Sequence, residues 1–429
     1  MDIFYEFFKV GSIADNGELS FVYDDGWVSR TAAFPISLSM PFEPREHPRE
    51  IILPWLANLL PETHLSEIGQ QFKVSPQDVL GILKHLGRDT AGALSVGLPR
   101  KPGMNYREIP SAKAMERILN ELPSKPFLMG EHGVSMSLAG VQEKLPVVLE
   151  GGKYAIPVDG TPSTHILKPD TPRLAGSVQN EAFCLTLARL CGLEAAEVST
   201  DRAGSRNFLV VKRYDRIADR KGVTRRLHQE DFCQILGLFP TRKYEKGSEF
   251  GEPGPGLSQL FDAVRTYINP GERLRLLDAV IFNVLACNTD SHAKNYSVQI
   301  GAGGSAKLAP LYDILCAKIY PKIDQSLPQR IGSKSNGDIL HGSDWQAMAK
   351  AAGLNPSATL RRVAELCSLV TERADEAKRI VEEMPAGGCE ILSNVVHEVK
   401  KRCRKIERQL AQRNAAYEKV IDEARGPRR

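Results

Sequence analysis

An apolar helical run over residues 276–287 ends abruptly in Asn288-Thr289-Asp290-Ser291-His292-Ala293-Lys294-Asn295, where polar and ionisable groups crowd behind a segment that must be buried. Asp290 and Asn295 stand five positions apart, the interval of the protein-kinase catalytic loop H-R-D-x-x-x-x-N. In that chemistry the aspartate accepts the proton of an attacking hydroxyl, and the asparagine amide oxygen binds a metal ion. A second carboxylate is needed for the metals that bridge the phosphates. Asp313, in Leu311-Tyr312-Asp313-Ile314, lies eighteen positions after Asn295 and follows a short strand predicted over 307–310. Asp and Asn are also common in helix-capping loops, so an isolated D-x-x-x-x-N match carries little weight. The same Asp290, His292 and Asp313 could instead ligate a hydrolytic metal centre, although such centres normally use more ligands.

Further chemistry-bearing residues lie upstream. Lys168 closes the strand predicted over 164–169, where an ammonium can neutralise nucleotide phosphates. Most lysines simply snorkel at the surface, but Glu181, early in the next helix, offers an ion-pair partner. There is no G-x-G-x-x-G. In its place the stretch Ser135-Met136-Ser137-Leu138-Ala139-Gly140-Val141-Gln142-Glu143-Lys144 has small residues that allow backbone N–H groups to approach phosphate oxygens.

Positioning these groups requires a frame. Periodicity predicts strands at 19–23 and 36–40, a helical segment at 55–60 and a helix starting at 75–78. An amphipathic helix is predicted over 112–122, and a hairpin joins 147–149 to 154–156 through Gly151-Gly152. A helix over 180–191 and a buried strand over 208–211 follow, and beyond about residue 225 the pattern is mainly helical, as in 273–288 and 395–410. This predicts an α+β, two-lobed protein-kinase-like fold. An N-terminal subdomain (1–105) precedes a β-rich N-lobe with the nucleotide loop (106–212) and a mainly α-helical C-lobe (213–429).

Composition narrows the function classes. The 429 residues are 42% hydrophobic and 25% charged, with a net charge of +4, too small to indicate a nucleic-acid binder. No apolar run approaches the roughly 20 residues that span a bilayer, and no signal peptide is recognised. The eight cysteines are scattered without a C-x-x-C pair, which predicts reduced core thiols, no zinc site and a cytoplasmic protein.

Taken together, six stretches resemble the HipA family of toxin–antitoxin kinases: 137–144, 164–168, 212–216, 229–231, 289–295 and 312–313. The N-terminal region is similar through Ser37-Leu38-Ser39-Met40-Pro41, Asn58-Leu59-Leu60-Pro61-Glu62 and Gly87-Arg88-Asp89-Thr90-Ala91-Gly92-Ala93, so the resemblance spans nearly the whole chain. It implies an ATP- and Mg²⁺-dependent serine/threonine kinase with Asp290 as general base and Asn295 and Asp313 as Mg²⁺ ligands. It also implies that Lys168 contacts the phosphates. Ala139, Gly140, Val141, Gln142, Glu143 and Lys144 would form the nucleotide loop, and Lys212, Arg213 and Tyr214 the hinge beside adenine. His292, Ala293, Lys294, Asn295, Tyr312, Asp313, Ile314 and Leu315 would complete the nucleotide site. Lys212 stands where a better-known member has an acidic residue, a harmless change if only its backbone meets adenine.

The family phosphorylates itself on a serine of the nucleotide loop, and Ser137 matches that position, with Ser135 a second candidate. A phosphate there would repel ATP and drive the loop outward. The implied substrate is a cytosolic protein such as an aminoacyl-tRNA synthetase. The implied partner is a HipB-like helix-turn-helix antitoxin, which brings DNA only indirectly. A second reading is a kinase-fold binding module that acts as co-repressor with that antitoxin. The basic residues of 400–408 suit either.

Overall fold

The computed structural model describes residues 1–15, 18–247 and 251–425. The chain opens with an antiparallel sheet of β1 (Asp2–Tyr5), β2 (Phe8–Asp15), β3 (Leu19–Tyr23), β4 (Glu46–Pro48) and β5 (Leu94–Val96), in the order β4-β3-β2-β1-β5. Helices α1 (Asp25–Val28), α2 (Arg49–Ala57), α3 (Leu65–Phe72) and α4 (Val79–Leu86) accompany it. A second, six-stranded sheet takes β6 (Tyr106–Glu108), β7 (Leu145–Glu150), β8 (Lys153–Pro157), β9 (His165–Pro169), β10 (Val198–Ala203) and β11 (Arg206–Lys212), in the order β10-β11-β9-β7-β8-β6. The Gly151-Gly152 turn closes the β7–β8 hairpin with φ of 56° and 77°, a conformation that favours glycine.

Helix α5 (Ala112–Glu121) and the wholly apolar face of β7 and β9 enclose one hydrophobic cluster, centred on Met115, Leu119, Leu145, Val147, Leu167 and Phe208. Helix α6 (Ser177–Leu190) is buried along almost its full length, between the sheet and the helical lobe. That is why it lacks an amphipathic pattern.

The second lobe is mainly helical: α7 (Phe232–Ile235), α8 (Leu257–Tyr267), α9 (Glu272–Leu285), α10 (Gly342–Ala351), α11 (Pro356–Glu382) and α12 (Ile391–Arg425). Small ladders join them: β12 (Arg216–Ala218) with β13 (Thr224–Arg226); β14 (His228–Asp231), β15 (Ser297–Ile300) and β16 (Ala306–Leu308); and β17 (Ser326–Ile331) with β18 (Lys334–Asn336). The fold is therefore α+β and two-lobed, with a further β-rich unit in front. Among the described residues no helix is long and apolar enough to cross a membrane. All eight cysteines are free and all but Cys389 are buried.

The front unit shares a continuous apolar core with the helical lobe, from Ile3, Phe21 and Trp55 to Phe232, Leu260 and Phe282. Polar anchors fix this contact. The Glu230 carboxylate accepts from Leu38 N (2.7 Å) and Trp55 Nε1 (3.2 Å), and His228 Nε2 bonds Ile36 O (2.8 Å). Burial pushes Glu230 up to about 8.

These bonds account for one misread element. Residues 36–40 alternate like a strand, but the segment makes only a single bridge, between Ser37 and Met40, because its backbone groups are taken by Tyr23, Glu230 and His228. Likewise α2 stops at Ala57 rather than running to 60, since Asn58 turns out to bond Leu238 O (2.8 Å) and Lys294. The helix expected from 75 begins at Val79, where the Asp78 side chain accepts from Gly81 N (2.8 Å) and caps it.

Candidate active site

A cleft of about 1380 Å³ runs between the six-stranded sheet and the helical lobe, larger than the roughly 300–1,000 Å³ of ordinary small-molecule pockets. It is lined by Ala139, Gly140, Val141, Gln142, Glu143, Lys144, Lys168, Lys212, Arg213, Tyr214, Asp290, His292, Lys294, Asn295, Tyr312, Asp313 and Leu315. Two of the expected nucleotide-site residues stand elsewhere. Ala293 and Ile314 are buried in the core behind their loops, with 0% and 1% exposure, and line no part of the cleft. Both are turned inward while residues beside them in each loop face the opening.

The centre of the cleft is a carboxylate–ammonium–carboxylate bridge. Lys168 Nζ, at the end of β9, donates to Glu181 Oε1 of α6 and to Asp313 Oδ1, both at 2.6 Å. Burial alone would lower the Lys168 pKa, but Asp313 and Glu181 outweigh it and hold the ammonium well above its ordinary range. Burial likewise opposes charge on Asp313, and Lys168 and then Lys144 override it, keeping the carboxylate well below its ordinary range. Asp313 has φ 58°, a left-handed backbone that is uncommon for a non-glycine residue.

The catalytic-loop candidate is held by its own amides. Asn295 Nδ2 donates to Asp290 O at 2.6 Å, and Asn288 Oδ1 accepts from Asp290 N at 3.0 Å. Asn295 thereby keeps its amide oxygen for the cleft. The Asp290 carboxylate is open to the cleft, 64% exposed, and accepts from the Tyr244 hydroxyl. Desolvation by the surrounding walls raises its pKa, with Tyr244 partly opposing. His292 Nε2 is 3.9 Å from Asp290 Oδ1, and burial keeps this imidazole well below its ordinary pKa, hence neutral at pH 7.

Asp313 and the Asn295 amide oxygen fit a Mg²⁺ ion, which favours hard oxygen donors and commonly completes its shell with phosphates and water. Among the described residues no group of three or more His, Cys, Asp or Glu could hold a metal by itself. The site thus matches a metal bound jointly with phosphates better than a self-contained hydrolytic centre.

Residues 139–144 form the lip of the cleft. Gly140 has φ 109°, and a Cβ there would come within 2.6 Å of Lys144 Nζ. Lys144 Nζ donates to Ala139 O at 2.5 Å, and desolvation pushes its pKa down to about 8. Ser137 is fully buried, its hydroxyl donating to Leu59 O at 2.7 Å. Ser135 Oγ donates to His85 O at 2.6 Å.

At the hinge, the Lys212 side chain points outward to Glu197 (2.9 Å), and its backbone N–H donates to Glu197 O at 2.9 Å. The Arg213 guanidinium turns into the interior. Tyr214 and Tyr312 rings lie 5.8 Å apart, and Tyr312 Oη donates to Lys294 O at 2.7 Å. Lys294 itself is spent on Asp231 (2.8 Å) and Asn58 (2.6 Å), so it ties the catalytic loop to the front unit.

Glu62, Lys243 and Tyr244 also line the cleft, and no sequence motif singled them out as site residues apart from the resemblance carrying Glu62. The basic stripe of 400–408 is partly committed within the fold: Lys400 to Asp375 (2.6 Å), Lys401 to Glu398 (3.0 Å) and buried Arg402 to Asp338 (3.2 Å).

Residues 136–377 match the HipA-like C-terminal domain and residues 1–97 match the HipA N-terminal domain. The protein designated kinase Y4mE of Sinorhizobium fredii is 38% identical over 379 residues, covering 86% of this chain and 88% of its own. The serine/threonine-protein kinase toxin HipA of Shewanella oneidensis is 29% identical over 361 residues, covering 79% and 81%. HipA in the solved Shewanella oneidensis complex of HipA, HipB and operator DNA superposes with a TM-score of 0.81 over 94% of this chain and 97% of that one. At 23% identity this likeness concerns the fold. On these matches, which cover both halves of the chain, the protein belongs to the HipA family.

Proposed function

We propose that the chain is an ATP- and Mg²⁺-dependent serine/threonine protein kinase of the HipA toxin type. One observation carries this reading: Lys168, Asp290, Asn295 and Asp313, drawn from three separate segments, line a single cleft with Lys168 bridging Asp313 and Glu181. In this reading Asp290 accepts the proton of the attacking serine or threonine hydroxyl. Its raised pKa brings it nearer the working pH of a general base. Lys168 binds the phosphates, and Asp313 and the Asn295 amide would hold a Mg²⁺ ion, which would supply charge neutralisation for them. Residues 139–144 cover the phosphates, and the 212–214 backbone flanks adenine.

The proposed substrate is a cytoplasmic protein of translation, such as an aminoacyl-tRNA synthetase. The proposed partner is a HipB-like antitoxin, with DNA reached only through it. Ser137 is the proposed autophosphorylation site. Because its hydroxyl is buried against Leu59, transfer needs the loop to leave its seat. The phosphate then bars its return, since a buried dianion without a cationic partner is costly.

The test is labelled ATP added to a cell extract with wild-type protein or Asp290→Asn. Wild type should label itself, lose that signal on Ser137→Ala, and label an extract protein that mass spectrometry can identify. Equal labelling by Asp290→Asn would refute its role as base.

A further inference from the structure

Among the lysines that line the cleft, four are paired near the catalytic and nucleotide loops. Lys168 serves Glu181 and Asp313, Lys294 serves Asp231 and Asn58, and Lys144 serves a carbonyl of its own loop. The fourth, Lys243, has a different setting. Its Nζ donates to Glu62 Oε2 at 2.5 Å, and both side chains line the cleft while being largely shielded, at 9% and 13% exposure. Its backbone carbonyl accepts from Ala293 N at 3.1 Å, and the next residue, Tyr244, donates to the Asp290 carboxylate. Lys243 is thus fastened to the catalytic loop on the side of the general base.

Glu62 reaches the cleft from the front unit. Its backbone N–H donates to Gly140 O at 3.3 Å, and Thr63 Oγ1 donates to Val141 O at 3.3 Å. Its second carboxylate oxygen, Oε1, is buried and has no hydrogen-bond partner among the described residues. The ion pair therefore joins three segments: the nucleotide loop, the front unit and the catalytic loop. Its unpaired oxygen needs a donor, which a phosphate cannot supply, so the ammonium is the member of this pair that can meet an anion.

We propose that Lys243 is a phosphate-contacting residue of the transfer site, whose ammonium meets the terminal phosphate of the bound nucleotide, with Glu62 as the counter-ion that positions it. This rests on the kinase reading above. A cation beside the base meets the charge that spreads over the transferred group's oxygens, where Lys168 is already engaged by two carboxylates. The front unit thereby supplies a group to the active site, and it does so only while its bond to Gly140 keeps Glu62 in place.

The test compares MgADP with a Mg²⁺-bound non-hydrolysable ATP analogue by calorimetry on the full chain. Loss of one charge-assisted contact predicts that Lys243→Ala weakens the analogue by about ten-fold or more. MgADP, which lacks the terminal phosphate, should be unaffected, and Lys243→Arg should recover much of the loss. Glu62→Gln keeps an acceptor for the ammonium but removes the competing charge, so it should tighten the analogue. Equal losses of both nucleotides in Lys243→Ala, an unchanged analogue affinity there, or a weaker analogue in Glu62→Gln would overturn the proposal while leaving the kinase reading intact. The Glu62→Gln arm decides alone should Lys243→Ala not fold. Wild-type protein that binds neither nucleotide would overturn both.

Discussion

Two clusters of acids and bases lie at the junctions of this molecule, and they are built to opposite specifications. The first joins the front unit to the lobes: Asp89 and Asp215 with Arg213, Arg216 and Arg226, all almost wholly buried. Asp89 accepts from Arg216 (2.9 Å), Arg226 (3.0 Å) and the Ser163 hydroxyl (2.6 Å), and Asp215 accepts from Arg213 (2.8 and 2.9 Å) and Gly92 N (2.8 Å). Gly92 is required there, because a Cβ would lie 2.9 Å from Gln229 O and its φ is 83°. The second cluster, in the cleft, pairs Lys168 with Asp313 but leaves Asp290 largely exposed and one oxygen of Glu62 unbonded.

Shifted pKa values do not distinguish them. Burial, overridden by three guanidiniums, leaves Asp89 far below its ordinary range, much as Lys168 and Lys144 do for Asp313. What differs is saturation. In the interior cluster the carboxylate oxygens are filled by protein donors, although Arg216 Nε and Arg226 Nη1 find no partner among the described residues. In the cleft, the Asp290 carboxylate remains turned toward an opening. A perturbed ionisable group points to chemistry only when its partners leave it room for a ligand.

That contrast can be broken by mutation. Asp290→Asn should lower phosphoryl transfer by about 10²–10⁴-fold, as loss of a general base does, while changing stability by less than about 0.5 kcal/mol. Kinase assays and thermal melts on the same preparation check both halves. Asp89→Ala should do the reverse. It strands guanidiniums in the interior and should cost about 3–5 kcal/mol, read as a lower denaturant midpoint. A variant that melts like wild type would show the interior cluster to be dispensable.

Lys144 sharpens the comparison through pH. Its folded pKa of about 8 lies below the ordinary 10.5, so below pH 8 both folded and unfolded chains carry the charge. Between about 8 and 10.5 only the unfolded chain does, so this group makes stability rise with pH over that window. Nucleotide binding should run oppositely, weakening above pH 8 as the cation is lost, with proton uptake visible by calorimetry in buffers of different ionisation enthalpy. The smallest effect belongs to Lys212→Ala. Its exposed pair with Glu197, at 56% and 54% exposure, is worth less than about 1 kcal/mol, and nucleotide affinity should not change. A loss there would mean that the side chain, not the backbone, faces the ligand.

Part of the cleft's lining was legible because its chemistry is compressed into short loops. The interval from Asp290 to Asn295, the lysine at a strand end and the Gly140 loop each occupy a few consecutive positions. Ala293 and Ile314 line no part of the cleft, because a run of residues in a loop does not reveal which members turn inward. Glu62, Lys243 and Tyr244 escaped as a group because they come from segments about 180 residues apart, and an ion pair between them leaves no periodic signal. The strand pattern at 36–40 misled for a related reason: its alternation is real, but distant side chains took its backbone groups.

The sequence by itself determined the element types of the two lobes and the identity of the candidate groups for binding phosphate, holding a metal and accepting a proton. Those properties reside in side-chain chemistry and in spacings of a few residues. Only the tertiary structure decided which charged residues are filled and which stay open, that Ser137 is stowed against Leu59, and that the front unit reaches the cleft through Glu62. Saturation depends on partners far away along the chain, and only folding brings them within hydrogen-bonding distance.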